Sequence, residues 1–220
     1  MQSFISLQLK YFGSEGNGAS ALRVKDGLCT SKGSVLTHIE RSVDALLALE
    51  EQVLFWPDGE ERKQILKRIQ VQYHFPFCIS LADGTHLGLA FNPEQHGEEY
   101  WTWKHTYSVH VLVFCKYLCQ IRHIIVGWPA SVHDNRVWKN CRIFLQKQNF
   151  FGPNEYELGD LAFNSSVVMV SAYKKVAGCE LPHGRQFFND LLSKPRSKIE
   201  NMIKILQGLF FILPDHPSQS

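Results

Sequence analysis

Asp83 stands in the run Ala82-Asp83-Gly84-Thr85-His86, directly behind the apolar stretch from Phe75 to Leu81. An acid at the end of a short apolar strand, followed by a glycine that permits a sharp turn, leaves its carboxylate at a sheet edge where a metal ion or substrate can reach it. A second acid repeats the arrangement, because Tyr156 to Leu158 reads as a strand closed by Gly159-Asp160. Asp134 follows a third apolar run through Gly127-Trp128-Pro129-Ala130-Ser131-Val132-His133. Glu200 lies just off the stripe Ile199, Met202, Ile203 and Leu206 of a helical pattern that begins at Lys198. Carboxylates gathered from distant strands and a helix suit a hard divalent cation, magnesium or manganese, which leaves positions for water and phosphate oxygens. Two such ions can activate a water and stabilise the leaving oxygen of a phosphodiester. Taken singly, each acid reads more simply as a solvated surface residue.

The rest of the chain must fold around these acids, and its composition allows that. With 220 residues, 45% of them hydrophobic and 12% aromatic, it can build one large domain or two small ones. A formal charge of +2 and a pI near 8.2 exert no strong overall pull on nucleic acid, so such a partner must be met by local patches. Six cysteines, at 29, 78, 115, 119, 141 and 179, stand in apolar surroundings without a secretory signal ahead of them, which reads as reduced thiols of a cytosolic or nuclear protein. Lys, His or Arg interrupts every apolar stretch before it could span a membrane. Phosphate-loop, dinucleotide and serine-nucleophile motifs are missing, so kinase, dehydrogenase and hydrolase-triad readings have no residue to rest on.

Residues 1–55 read as a small helical part. Ser3 to Phe12 and Ala19 to Asp26 form short helices, Gly27 breaks the chain, and Ser31 caps a third helix. Val35, Ile39, Val43, Leu46 and Leu47 share one face of that helix, while Lys32, Ser34, Thr37, His38 and Arg41 share the other. The outline is helix-turn-helix-like, and on outline alone a plain helical bundle is the simpler reading. Residues 56–74 are a connecting helix, opened by Asp58 and Glu61 as a capping box, with Ile65, Leu66 and Ile69 facing inward. Residues 75–213 hold the strand patterns Phe77 to Leu81, Tyr107 to Phe114, Ile121 to Val126 and Tyr156 to Leu158, and 214–220 are a tail. Cys115 and Cys119 with His123 and His133 read as buried thiols and structural histidines rather than a zinc site, since tight paired-ligand loops are missing. Trp101 and Trp103 cover a core edge in the simplest reading and stack on unpaired bases in the alternative one.

Taken in chain order, Asp83-Gly84-Thr85-His86, the segment Gly127 to Asp134 with Arg136-Val137-Trp138, the segment Leu158-Gly159-Asp160-Leu161-Ala162-Phe163, and Ile199-Glu200 resemble the Harbinger-type DDE transposases and their domesticated nuclease relatives. The resemblance runs from Trp56 to Leu213, and its most specific part is Gly-Trp-Pro-x-Ser-Val-His-Asp. It implies a mixed α/β core of the ribonuclease H type behind the helix-turn-helix-like N-terminal part. It also implies a metal-dependent DNA endonuclease or transposase using Mg2+ or Mn2+. Asp83, Asp160 and Glu200 would be its catalytic acids, and Asp134 a further metal ligand. His86 and His133 lie beside two of the acids, and a structural role suits imidazoles there better than binding a hard ion. DNA is the implied partner, with Lys32, Ser34, His38, Arg41, Lys104, Arg196 and Lys198 as candidate contacts, the cations for phosphate. A separate DNA-binding partner protein and a nuclear location follow as expectations of the lineage, while oligomeric state and target sequence stay open. Where relatives read Tyr-x-x-Arg-Lys, this chain reads Tyr100-Trp101-Thr102-Trp103-Lys104, and Lys204, Gln207 and Leu209 stand where relatives carry a glycine and a basic pair. Pro195 precedes Glu200 and is expected to move the helix start unless it occupies a first turn. The competing reading is a domesticated copy that keeps the fold and DNA or protein contacts without cleavage.

Overall fold

The structure, a computed structural model, describes residues 31–89 and 92–210. The short helices expected within 3–26 lie outside the described residues. The chain forms two compact units, Met1–Val53 with Leu206–Ser220, and Leu54–Ile205.

In the first unit, helix α1 (Lys32–Leu47) begins where the sequence places it, with Ser31 Oγ accepting from the Ser34 amide at 3.0 Å. Its expected apolar face is only partly buried. Val35 is enclosed, whereas Val43, Leu46 and Leu47 are exposed and Ser42, bonded to the His38 carbonyl at 2.6 Å, takes a buried position. A single turn, α2 (Glu50–Val53), follows. Lys32, Ser34 and Arg41 are exposed, and His38 is half-buried.

The second unit opens with α3 (Gly59–Tyr73), where Asp58 Oδ1 accepts from the Glu61 amide at 2.8 Å. The Glu61 carboxylate does not return to complete the expected box. It is taken by Lys116 Nζ at 3.0 Å and by the Arg122 guanidinium, which tie the start of α3 to the turn between two strands. The strands are β1 (Cys78–Gly88), β2 (Ser108–Cys115), β3 (Ile121–Pro129), β4 (Tyr156–Gly159) and β5 (Met169–Ser171). Their order is β3-β2-β1-β4-β5, antiparallel on the β3-β2-β1 side and parallel from β1 through β4 to β5. Alternation along β2 shows why both faces must be covered: Val111, Val113 and Cys115 point to one layer, Leu112 and Phe114 to the other. On the first face Ile65, Ile69 and Tyr73 of α3 meet Leu192, Ile199, Met202 and Ile203 of the long helix that follows the sheet. On the second face lie Val137, Trp138 and Ile143 from the short helices after β3, with Phe163 and Met169. Leu66 leaves the α3 stripe and packs against this second cluster. A five-stranded mixed sheet in this order, with helices on both faces, is the ribonuclease H-like α/β arrangement.

Two expectations are corrected. β1 does not stop at Leu81 but continues through Asp83 and Gly84 to Gly88, because Ala82 to Gly88 all pair with β2, from Ala82↔Phe114 to Gly88↔Ser108. The last helix does not begin near Lys198. It runs from His183 to Phe210 with Pro195 inside it, buried in a stretch where Ser193 and Ser197 hydroxyls donate to the carbonyls of Asp190 and Ser193. Proline removes one amide from the helical ladder without ending the helix here, since Leu192 and Ile199 on either side are held in the core.

Candidate active site

The neighbour of Asp83 is set by the parallel pair. Leu81 stands opposite Leu158, so the chain two residues further along β1 comes beside the end of β4, where Asp160 follows. The sequence Leu158-Gly159-Asp160-Leu161-Ala162-Phe163 has a packing reason. A Cβ on Gly159 would fall 2.7 Å from the Phe163 ring and 2.8 Å from Met169 Sδ. The turn that brings Phe163 back onto the strand is closed by the Ala162 amide donating to Asp160 Oδ1 at 2.8 Å.

Asp134 arrives from the opposite face. It is the first residue of α5 (Asp134–Asn140), which follows α4 (Gly97–Tyr100) of the β1–β2 connection and precedes α6 (Arg142–Leu145) and α7 (Lys147–Phe150). Its carboxylate lies over Gly84, where an added Cβ would meet Asp134 Oδ2 at 2.3 Å. Glycine after Asp83 therefore serves close approach of the second acid, not the turn expected from the sequence. Asn135 Oδ1 accepts from the Asn164 amide at 3.0 Å, which couples the start of α5 to the loop after Asp160.

The three acids act on one another. Burial, then the neighbouring Asp160 charge, pushes Asp83 up to about 7 against the opposing pull of Arg196 and the Gly84 amide, with Asp134 adding to the rise. Burial also raises Asp134, and Asp160 adds to the rise, while His110 and His133 oppose it. Carboxylates held half-buried and within reach of each other are only partly compensated by Arg196 and the histidines, and hard oxygen donors in that state suit a divalent cation. The fit is one of donor chemistry and charge: among the described residues no group of three or more His, Cys, Asp or Glu side chains is already drawn around one point.

Glu200 is placed differently. It lies on the long helix, α8 (His183–Phe210), where Arg196 Nη2 donates to Glu200 Oε1 at 2.9 Å. Arg196 thus stands between Glu200 and the acids, bonded to one and attracting Asp83. Lys198 and Lys104 are exposed.

A family model described as DDE superfamily endonuclease matches residues 82–220, more than half of the chain. The chain belongs to the DDE superfamily endonucleases. No curated protein and no solved structure matches it. The matched region of this endonuclease domain begins one residue before Asp83 and contains Asp134, Asp160 and Glu200. Members of the family work with divalent metal ions. Within the endonuclease domain the sequence reading passed over His110. Its side chain is 1% exposed, Nδ1 contacts the Val132 carbonyl at 2.7 Å, and Nε2 faces Asp134 Oδ1 at 3.3 Å. A carbonyl only accepts, so Nδ1 carries a proton and Nε2 is turned to the acid. The available signal was an imidazole at an inward position of an alternating valine strand. His86 packs its ring 5.3 Å from that of His110, whereas His133 is exposed and caps α5 without a side-chain bond. Cys78, Cys115 and Cys141 are buried free thiols, and burial raises each of them.

Proposed function

We propose that the protein is a divalent-metal-dependent DNA endonuclease or transposase of the DDE type, acting in the nucleus. The supporting observation is the electrostatic coupling of three half-buried acids, Asp83 of β1, Asp134 of α5 and Asp160 after β4, in a chain of this family. These three would hold the metal ions, with Glu200 as a fourth acid whose carboxylate must exchange Arg196 for the ions. Bound there, divalent ions supply Lewis-acid polarisation of a phosphodiester and a lowered pKa for water. The His110 ring, oriented by its bond to the Val132 carbonyl, stands with Nε2 3.3 Å from Asp134 Oδ1, and Gly84 keeps the space into which that carboxylate leans. Exposed Lys104 and Lys198 meet the phosphate backbone, as do Lys32, Ser34 and Arg41 of α1, with His38 as a further contact on that helix. A separate DNA-binding protein as partner fits a chain whose overall charge is close to neutral.

Incubation of supercoiled plasmid with the protein and magnesium or manganese tests this reading. Nicking is expected from the parent and is expected to fall by roughly a thousand-fold in Asp160→Asn, since one ligand supports several kcal/mol of transition-state stabilisation. Equal nicking by parent and variant would assign the activity elsewhere. A second reading draws on Arg196: a guanidinium that already attracts Asp83 and binds Glu200 suits a domesticated copy that keeps DNA or protein contacts without cutting.

A further inference from the structure

The β1–β2 connection carries an aromatic cluster that the acids do not use. Its tip, Thr102 to Thr106, is closed on itself. The Thr102 amide and hydroxyl both donate to the Thr106 carbonyl at 2.9 Å, the His105 amide donates to the Thr102 carbonyl at 3.0 Å, and His105 adopts a left-handed φ of 58°. Thr102 is buried, so the turn is anchored, and it holds Trp103 outward with 81% of its surface exposed. Behind it Trp101 packs edge-on against Tyr107 at 4.8 Å and His105 at 5.9 Å. A tryptophan that covered a core edge would be enclosed, and Trp103 is not. Its ring instead faces the Lys104 ammonium at 5.3 Å.

The turn is linked to the acids through intermediate side chains. The Lys104 charge is felt by His86, whose ring lies 5.3 Å from that of His110, which in turn faces Asp134. The Ser131 amide donates to the Glu99 carbonyl at 3.1 Å, joining the connection to the segment that leads into Asp134. An exposed indole with a cation over one face keeps the other for a nucleobase whose phosphate that cation can meet, and bases within a duplex have no free face to offer. We propose that Trp103 is a stacking platform for an unpaired base of a DNA strand whose backbone passes Lys104 on its way to the acids. The substrate class is therefore DNA with a single-stranded end, flap or junction next to the cut. This rests on the reading of the acids as a DNA-cleaving site.

The test uses the full chain in calcium buffer with two probes of one sequence, a blunt duplex and a duplex with an overhang carrying a fluorescent adenine analogue. The parent is expected to bind the overhang more tightly than the blunt duplex and to quench the analogue. Trp103→Ala is expected to lose the quench and about ten-fold in overhang affinity, the loss of one stacked base, while blunt-duplex affinity stays unchanged and Trp103→Phe largely restores both overhang signals. Quenching and overhang binding undiminished in Trp103→Ala would overturn the proposal, as would equal losses on both probes or no preference of the parent for the overhang. Because Trp103 lies outside the acid cluster, failure of plasmid nicking with Trp103-dependent quenching intact would remove the cleavage reading alone. Nicking that persists without such quenching would remove only the platform.

Discussion

Glu61 and Asp83 are both partly buried carboxylates of the same unit, and their surroundings are opposite. Glu61 is shared by Lys116 and Arg122, so one negative charge is met by two positive ones and α3 is fastened to the β2–β3 turn. Asp83 is met by Asp160 and Asp134, with Arg196 as the opposing charge. A fold under no other demand pairs its buried charges, and the Glu61 cluster shows that this chain can do so. Three carboxylates left within electrostatic reach of one another cost folding free energy, and such a cluster is where the proposed chemistry would lie.

Glu157 sharpens the contrast, because it separates burial from repulsion. It is fully buried on β4, Ser80 Oγ donates to its Oε1 at 2.7 Å, and burial pushes it up to about 8 from the ordinary 4.5. The native state therefore keeps a proton that the unfolded chain releases, so the stabilising contribution is full below pH 4.5 and is lost as pH rises through about 8. Urea unfolding of Glu157→Gln against the parent should show little difference near pH 5 and about 4 kcal/mol in favour of the variant by pH 8. A flat difference across that window would mean that burial alone does not set this acid.

The paired cluster gives the next largest effect. Arg122 is 4% exposed in its side chain, so Glu61→Ala leaves an uncompensated guanidinium and should lower stability by about 3 kcal/mol in the same urea measurement. Plasmid nicking by the folded variant should be unchanged. If nicking falls with stability preserved, the division between a structural and a chemical cluster is wrong. The smallest effect is expected at Arg196, whose removal in Arg196→Gln should tighten manganese binding roughly three-fold by freeing Asp83 and Glu200 of a competing charge. Weaker binding would instead make Arg196 part of how the site is held.

Much of this arrangement was legible in the residues. Asp83 and Asp160 stood out as acids beside glycines at strand ends, but it was the family resemblance that grouped them with Asp134 and implied the mixed α/β core, while the apolar runs showed only that strands follow Phe75. The sequence misread the purpose of Gly84, because a glycine after an acid signals a turn locally, while the reason for this one is Asp134, which comes from far along the chain. His110 was hidden for the same reason, since its meaning depends on Val132 and Asp134 rather than on its neighbours in the strand. The start of α8 was missed because Pro195 argues locally against a helix, and the packing of Leu192 and Ile199 overrides it. The apolar stripe of α1 promised more burial than Val35 alone delivers, since periodicity says which residues share a face and not whether that face is covered.

Calorimetric titration of manganese into the purified protein, beside folded Asp83→Asn and Asp160→Asn variants, addresses the three-acid site most directly. Repelling carboxylates should bind the ion in the parent, and each loss of a ligand should weaken binding by at least about ten-fold. Binding no tighter in the parent than in both variants would contradict the account, because the acids would then share a sheet end without forming a metal site.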